Sequence, residues 1–252
     1  MAGEPRDISK ANVLITGGAS GVGLETARLF SSAGASVTIM GRSEDRLKTA
    51  LKNLSQDKLA SFTGDVTSSQ SAKDAIAFAA ERFGAPVNIL VNNAGVILRK
   101  TAEQTSDEDW AHLMDINVTG LFYMSRAAAK QMPNDGAIVN MSSTCGSYGA
   151  AGLTAYCASK GAVDQITRTM ALELAPRKIT VNAVAPGAIN SPMLYSEHAT
   201  KALADSVVDR NEVSIPIGMV AEPEEIARSI IFLARERHMT GSILRIDGGY
   251  TS

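Results

Sequence analysis

The sequence predicts an α/β fold, a single doubly wound domain in which a seven-stranded parallel sheet carries helices on both faces. Short β-branched runs alternate with longer amphipathic segments along the whole chain, which is typical of βαβ units. The runs are almost continuously apolar, as expected for parallel strands that are covered on both faces. The length of 252 residues also fits one large domain better than two.

Seven apolar runs have the length expected of buried strands. They are Asn12–Thr16, Ser36–Met40, Leu59–Thr63, Asn88–Val91, Ala137–Met141, Thr180–Val184 and Ser242–Ile246. Between them, apolar residues recur at helical spacing, and several segments open with a Ser or Thr cap or with Pro223 at the first helical position. The predicted helices are Gly21–Ala33, Ser43–Leu54, Ser68–Phe83, Ser106–Met132, Ala155–Ala175 and Glu222–Arg235.

The segment 186–218 departs from this alternation. It begins with Pro186-Gly187, includes a polar helical pattern near His198–Asn211, and follows the sixth predicted strand. Ligands bind at the carboxyl ends of strands in such sheets, so we expect a substrate lid here, with an ordinary surface loop as the alternative. No linker or repeat interrupts the chain, and residues 1–252 are expected to form one domain.

Composition excludes several classes of function. Lys and Arg number 24 and Asp and Glu 26, a net charge of −2, which argues against nucleic acid as a partner. No apolar run approaches the roughly 18 residues of a membrane span, and the polar start lacks a signal peptide, so we expect a cytoplasmic protein without a membrane partner. The two cysteines, Cys145 and Cys157, lack the spacing of a zinc site, and no metal is expected.

A glycine-rich turn joins the first strand to the first helix. Gly17, Gly21 and Gly23 allow a tight turn and a close approach to a pyrophosphate, whose charge the N-terminus of the helix would bind. The spacing GxxxGxG differs from the GxGxxG of the standard dinucleotide fingerprint, and the Lys of a P-loop is missing. A tight strand–helix connection without a ligand is the alternative interpretation.

The end of the second strand indicates which dinucleotide is bound. Gly41 stands where an acid would bind the ribose 2′-hydroxyl, and Arg42 follows with a planar group suited to a 2′-phosphate. This pattern favours NADP(H). NAD(H) remains the alternative, because Glu44 and Asp45 are close by and Ser20 in the turn is uncharged.

A tyrosine and a lysine four residues apart open the fifth predicted helix. Tyr156 and Lys160 project from the same face, and a nearby ammonium would lower the pKa of the phenol towards neutrality. Ser143 follows the fifth strand at the edge of the sheet where ligands bind. Together they suggest a general acid/base, although a Tyr and Lys at this spacing are also common in helices without a function.

Taken together, these motifs resemble the classical short-chain dehydrogenase/reductase family from Ala11 to about Gly249. The motifs are TGGASGVG at Thr16–Gly23, Asp65-Val66, NNAG at Asn92–Gly95, Asn117, Ser143, YCASK at Tyr156–Lys160, and Pro186-Gly187 followed by Ser191. The resemblance implies a Rossmann-type domain and hydride transfer between a nicotinamide and a ketone or secondary alcohol. It also implies a homo-oligomer, a tetramer or a dimer, built on the two long helices.

The resemblance implies a role for each matching residue. Tyr156 would move the proton, Ser143 would polarise the substrate carbonyl, Lys160 would bind the nicotinamide ribose, and Asn117 would hold a water. Asp65 and Val66 would contact the adenine, and Ile189 and Ser191 the carboxamide. The full set expected at the cofactor is Gly17, Ser20, Gly21, Val22, Gly23, Arg42, Asp65, Val66, Asn93, Ala94, Gly95, Tyr156, Lys160, Pro186, Gly187, Ile189 and Ser191.

The substrate is less readable from the sequence. A partly hydrophobic carbonyl compound is predicted from the candidate pocket residues, which are Ile97, Cys145, Tyr148, Leu153 and Met193. Arg99 and Lys100 are close in the sequence, so whether the substrate also carries a carboxylate is left open. A 3-oxoacyl-(acyl-carrier-protein) reductase is the alternative enzyme, with Arg177-Lys178 as a basic patch for an acidic carrier. A dinucleotide-sensing protein without activity is the more remote alternative.

Overall fold

The computed structural model describes residues 4–54, 58–195 and 214–252. The strands are β1 (Asn12–Thr16), β2 (Ser36–Gly41), β3 (Leu59–Thr63), β4 (Ile89–Asn92), β5 (Ala137–Met141), β6 (Thr180–Pro186) and β7 (Ile243–Ile246). They form one sheet in the order β3-β2-β1-β4-β5-β6-β7, and every neighbouring pair is parallel. The predicted seven-stranded parallel sheet is confirmed.

Helices follow the strands and begin at the expected signals. They are α1 (Gly21–Ser32), α2 (Glu44–Leu54), α3 (Ser69–Phe83), α4 (Asp107–Met114), α5 (Leu121–Gln131), α6 (Thr154–Leu174), α7 (Pro192–Tyr195) and α8 (Pro223–Arg235). The Ser68 hydroxyl accepts a hydrogen bond from the Ser71 N–H and caps α3. Ser106 and Asp109 form a capping box at α4, which supplies partners for two N–H groups that the helix leaves unpaired.

The sheet is covered on both faces, because successive side chains of each strand point to opposite sides. Val13 and Ile15 of β1 belong to a buried core that also contains residues of α1, α2 and α8. Leu14 belongs to a second core with residues of α3, α5 and α6. The near-continuous apolar strands in the sequence therefore reflect burial in two cores, and the doubly wound arrangement is confirmed.

The segment predicted as a helix over Ser106–Met132 is helical from Asp107 to Gln131, but it is not a regular α-helix throughout. A π-helical turn at Asp115–Gly120 separates α4 from α5. Within this turn, the side chain of Asn117 exchanges two hydrogen bonds with the backbone of Val96, at 2.8 and 2.9 Å. One wider turn changes the hydrophobic periodicity too little to be seen in sequence, and such turns are frequent at functional sites.

Part of the predicted lid can be described. At its ends, Leu194 of α7 packs with Ile215 and Val220 in a small apolar cluster. The predicted helical pattern near His198–Asn211 lies outside the described residues, so the lid remains a prediction. Among the helices that the structure describes, none is long and apolar enough to cross a membrane.

The order of the strands reverses between β1 and β4, and hydrogen bonds join the two strand ends there. The Asn93 side-chain amide donates to the carbonyl oxygens of Thr16 and Gly17, each at 3.1 Å. The Thr16 hydroxyl in turn accepts from the N–H groups of Asn93 and Ala94, at 3.1 and 3.0 Å. This switch point is where a sheet of this type opens a ligand-binding crevice.

Gly23 allows α1 to pack closely against this junction. A Cβ atom at Gly23 would lie 2.3 Å from the Gly17 carbonyl oxygen and 2.6 Å from the Asn93 amide nitrogen. We expect Gly23→Ala to lower the free energy of unfolding by about 1–3 kcal/mol, because the added methyl group overpacks a rigid contact. Urea denaturation of the variant and the wild type measures this difference.

Gly149→Ala is the matched control. A Cβ atom at Gly149 would meet no atom within 4 Å, so this variant should unfold at the wild-type urea concentration. Equal stability of Gly23→Ala and Gly149→Ala would contradict the close packing of α1 on the glycine-rich turn.

Candidate active site

A cavity of about 770 Å³ runs along the carboxyl ends of the strands, across the switch point. Of the residues that the sequence predicts for the site, only Gly23 and Asn117 do not line its wall, and both lie directly behind it. The predicted residues on the wall are Gly17, Ser20, Gly21, Val22, Arg42, Asp65, Val66, Asn93, Ala94, Gly95, Ile97, Ser143, Cys145, Tyr148, Leu153, Tyr156, Lys160, Pro186, Gly187, Ile189, Ser191 and Met193. The fold thus brings motifs from the whole chain to one crevice.

The glycine-rich turn forms the middle of the cavity. Gly17 and Gly21 have φ angles of +65° and +52°, which only glycine adopts without strain. Ser20 precedes α1 in an extended conformation, and its hydroxyl does not cap the helix. The N–H groups of the first turn of α1 therefore face the cavity without a side-chain partner, which fits an anionic diphosphate group at the positive end of the helix.

One end of the cavity carries two arginines. Arg42 and Arg46 both line it next to Gly41, and Asp65 lines it within reach of the charge of Arg42. Asp65 Oδ1 accepts hydrogen bonds from the N–H and the hydroxyl of Thr67, both at 2.9 Å. These bonds and the charge of Arg42 hold the pKa of Asp65 below its usual value. Sequence reasoning missed Arg46, although it lies four residues after Arg42 at the start of α2.

Tyr156 lies in the first turn of α6 and is buried against the cavity. Burial raises the pKa of its phenol, the neighbouring Cys145 raises it further, and a hydrogen bond with the Ser143 hydroxyl opposes the rise. The expectation that Lys160 lowers the pKa of Tyr156 is therefore wrong for this state of the protein. Removal from water disfavours the phenolate more than any neighbouring group stabilises it.

The ammonium group of Lys160 is directed elsewhere. Lys160 Nζ donates to the Met141 carbonyl oxygen at 2.8 Å and lies 5.5 Å from the centre of the Tyr156 ring, over its face. Burial lowers the pKa of Lys160 to about 8, and the charge of Asp164 partly opposes the shift. The lysine joins the end of β5 to α6, and it can exchange a proton near neutral pH.

Behind the reacting groups lies a buried pair that the sequence analysis missed. The Ser142 hydroxyl donates to Asp164 Oδ1, and both side chains are almost fully buried. Burial raises the pKa of Asp164, and the Ser142 hydrogen bond opposes this rise. Asp164 follows Lys160 by four residues, so helical spacing was the signal that could have found it.

The side chain of Asn117 forms three hydrogen bonds, with Val96 and Ser159. Its amide nitrogen donates to the Val96 carbonyl and, at 3.1 Å, to Ser159 Oγ, and its oxygen accepts from the Val96 N–H. Both amide hydrogens are used in these bonds. The resemblance led us to expect a water on Asn117, whereas the structure assigns its side chain to holding the Val96 loop against α6.

The end of the cavity beside Tyr156 is mainly apolar. Ile97, Cys145, Leu153 and Met193 line it, and burial raises the pKa of Cys145 to about 11, so the thiol is neutral. Tyr148 and Tyr250 stand edge to face at the mouth with ring centres 6.0 Å apart. Sequence reasoning missed Tyr250, because nothing in the sequence brings the C-terminus to this site.

Comparison with known proteins gives the same architecture. A family model described as enoyl-(acyl carrier protein) reductase matches residues 17–251. The chain is 39% identical over 243 residues to galactitol 2-dehydrogenase (L-tagatose-forming) of Cereibacter sphaeroides, covering 94% of this chain and 93% of that protein. The chain belongs to the short-chain dehydrogenase/reductase family. Members of this family bind a nicotinamide dinucleotide, and this member is an oxidoreductase.

Two further members of the family show how widely its substrates vary. A 3-oxoacyl-(acyl-carrier-protein) reductase of Thermotoga maritima is 36% identical over 242 residues, covering 94% of this chain and 96% of that protein. The solved structure of an actinorhodin polyketide ketoreductase with NADPH superimposes with a TM-score of 0.89 at 33% identity, covering 96% and 98% of the two chains. Similarity across the family therefore identifies the reaction type and not the substrate.

Metal ligands do not cluster in this short-chain dehydrogenase/reductase within residues 4–54, 58–195 and 214–252. There, no group of three or more His, Cys, Asp or Glu side chains is arranged to hold an ion. The polar groups on the cavity wall near Tyr156 include the hydroxyl of Ser143, the thiol of Cys145, the ammonium of Lys160 and the guanidinium of Arg99.

The pKa of Lys160 predicts a pH dependence of stability. Lys160 titrates near pH 8 in the folded protein and near 10.5 when unfolded, so the unfolded chain binds more protons between these values. The contribution of Lys160 to the stability of the wild type therefore rises with pH in this window, whereas Lys160→Met lacks this contribution. From about pH 7.5 to about pH 9.5, the free energy of unfolding of the wild type should gain roughly 2 kcal/mol relative to the variant.

Urea denaturation at the two pH values measures this gain. Lys130→Met, which removes an exposed lysine of α5, is the control and should follow the wild type. A Lys160→Met variant with the same pH dependence as the wild type would show that Lys160 keeps its ordinary pKa in the fold.

Proposed function

We propose that the protein catalyses reversible hydride transfer between NADP(H) and a ketone or secondary alcohol, with Tyr156 as the proton donor and acceptor. One observation supports this most strongly. The phenol of Tyr156 and the hydroxyl of Ser143 both line the cavity that also contains the glycine-rich turn, and Ser143 opposes the rise in the pKa of that phenol. A positioned acid and a polarising hydroxyl are what carbonyl reduction requires beside a hydride donor.

Each residue has a part in the proposed reduction. The bound nicotinamide supplies the hydride. Ser143 donates a hydrogen bond to the substrate carbonyl oxygen, and Tyr156 gives that oxygen a proton from its phenol. Because burial raises the pKa of Tyr156, the phenol is protonated at neutral pH and ready for reduction. Lys160 stands beside the ring, where its ammonium can replace the proton, and Asn117 keeps the Val96 loop in position.

The proposed cofactor is NADP(H), with NAD(H) as the alternative. Arg42 and Arg46 supply two cations where the 2′-phosphate would lie, and Gly41 offers no carboxylate to a 2′-hydroxyl. Asp65 and Val66 would hold the adenine, and the carboxamide would meet Ile189 and Ser191. The remaining cofactor contacts are assigned to Gly17, Ser20, Gly21, Val22, Asn93, Ala94, Gly95, Pro186 and Gly187.

The substrate would occupy the apolar end of the cavity, against Ile97, Cys145, Tyr148, Leu153 and Met193. We also propose that the chain, as one domain with a lid at 186–218, assembles into a homo-oligomer in the cytoplasm. The exposure of Phe122 on α5 and of Leu172 on α6 supports this assembly, because apolar side chains on adjacent helices gain from burial against a second copy.

A second candidate reaction is the reduction of a 3-oxoacyl group on an acyl carrier protein. The relative of that name in Thermotoga maritima supports it. Its identity to this chain, 36%, is close to the 39% identity of the galactitol 2-dehydrogenase. A 3-oxoacyl-N-acetylcysteamine thioester, compared with simple ketones of similar size, would distinguish the two. Preference for the thioester, and stronger preference for the carrier-bound form, would favour this second reaction.

Removing the phenol hydroxyl tests the proposed acid. Tyr156→Phe should retain NADPH affinity and lose roughly 10²- to 10⁴-fold in kcat, because it keeps the ring and removes the proton. Fluorescence titration measures cofactor binding, and the absorbance of reduced nicotinamide measures turnover. Tyr148→Phe, which changes a second tyrosine on the same wall, is the matched control. A kcat close to the wild-type value in Tyr156→Phe would contradict the mechanism.

Removing the two arginines tests the cofactor. Arg42→Ala and Arg46→Ala should each weaken NADPH binding by about 10-fold or more and change NADH binding little, because a charge-assisted contact to the 2′-phosphate is lost. Titration with both cofactors measures the ratio of the two dissociation constants. Equal losses for NADPH and NADH would contradict the assignment of the arginines to the 2′-phosphate.

A further inference from the structure

Arg99 is a cation at the substrate end of the cavity, and the proposed reaction gives it no part. It lines the wall together with Tyr156, Leu153 and Ile97. We propose that the substrate carries a carboxylate, which Arg99 binds while Tyr156 and Ser143 hold the reacting carbonyl. This inference rests on the proposed function and deepens it from ketones in general to oxo acids and the corresponding hydroxy acids.

The backbone around Arg99 is fixed at both ends. Before it, Val96 exchanges two hydrogen bonds with the side chain of Asn117. After it, Lys100 forms a parallel bridge with Leu153, which immediately precedes α6. Arg99 is thereby held beside the helical turn that carries Tyr156, and a ligand group gains more from a guanidinium on a fixed backbone than from one on a free loop.

Arg99 and Lys100 face opposite ways along this extended segment. Lys100 Nζ pairs with Asp109 of α4 at 2.5 Å and does not line the cavity. Arg99 does line it, as expected from the alternation of side chains in an extended chain. Of the two cations that the sequence leaves open for a carboxylate, only Arg99 therefore lines the described wall of the cavity.

The charge of Arg99 reaches the reacting groups. It lowers the pKa of both Tyr156 and Cys145, against the larger effect of burial, so its field acts across this end of the cavity. Among the described residues that line the cavity, the only carboxylate is Asp65, which lies beside Arg42 at the other end. An anionic substrate group near Tyr156 thus meets a cation and no acidic side chain of the described wall.

The surrounding walls limit what joins the carboxylate to the carbonyl. Ile97, Leu153 and the neutral thiol of Cys145 offer no charge to a linking chain, which favours a hydrocarbon linker. One planar guanidinium matches the two oxygens of a carboxylate. A phosphate dianion commonly draws more than one cation or a helix N-terminus, whereas the described wall at this end supplies one guanidinium, that of Arg99, beside the Lys160 ammonium that donates to the Met141 carbonyl. The geometry therefore points to an oxo acid.

Matched substrate pairs test the inference. Acetoacetate and levulinate would each be compared with their methyl esters, which keep the ketone and remove the charge. With NADPH, the wild type should have a kcat/KM at least about 10-fold higher for one acid than for its ester. In Arg99→Met the acid-to-ester ratio should fall towards one, whereas Lys100→Met, which removes the adjacent cation, should keep the wild-type ratio.

Calorimetry supplies a readout that does not depend on turnover. Levulinate should bind both the NADP⁺-loaded wild type and NADP⁺-loaded Lys100→Met. Its affinity for Arg99→Met should be lower by about 10-fold or more. Equal kcat/KM for acid and ester in the wild type, or unchanged levulinate affinity in Arg99→Met, would overturn the anion site. Turnover of the esters and of neutral ketones tests the proposed function separately, because these compounds do not need Arg99.

Discussion

The hydrogen bonds that join the carboxyl ends of β1 and β4 are the constraint on which the rest of the site depends. Thr16 and Asn93 supply side chains that bind each other's backbone across the point where the strand order reverses. This junction fixes the glycine-rich turn on one side and the Val96 loop on the other. Asn117 continues the connection to α6 through Ser159, so the turn, the loop and α6 are held in one hydrogen-bonded unit.

Burial decides the electrostatics of α6. Tyr156, Lys160 and Asp164 share one face of the helix, and in each case removal from water shifts the pKa towards the neutral form. A neutral phenol beside a lysine with a pKa of about 8 is suited to giving up a proton in reduction and regaining it from a neighbour. The Ser142 hydroxyl and the Met141 carbonyl supply hydrogen bonds to Asp164 and Lys160 that make this burial tolerable.

The sequence predicted what depends on local pattern. All seven strands and both layers of helices follow from apolar runs, caps and glycines, whereas most of the site residues were implied by the family resemblance, and all of the predicted site residues but Gly23 and Asn117 line one cavity. It did not predict the π-helical turn at Asp115–Gly120, since one wider turn leaves the periodicity intact. It also misjudged the pKa of Tyr156, because burial is a tertiary property. Tyr250 was missed because only the fold brings it to this cavity, and only the fold separates Arg99 from Lys100. A spacing of four residues could have found Arg46 from Arg42 and Asp164 from Lys160.

The central claim is that this crevice brings a reduced nicotinamide and a ketone together for direct hydride transfer. The most direct test uses NADPH that carries deuterium on the transferable position of the nicotinamide, with mass spectrometry of the alcohol product. The account predicts one deuterium on the carbinol carbon of every product molecule, with one NADPH oxidised for each. An alcohol without deuterium, or NADPH that binds and is never oxidised by any ketone, would contradict it.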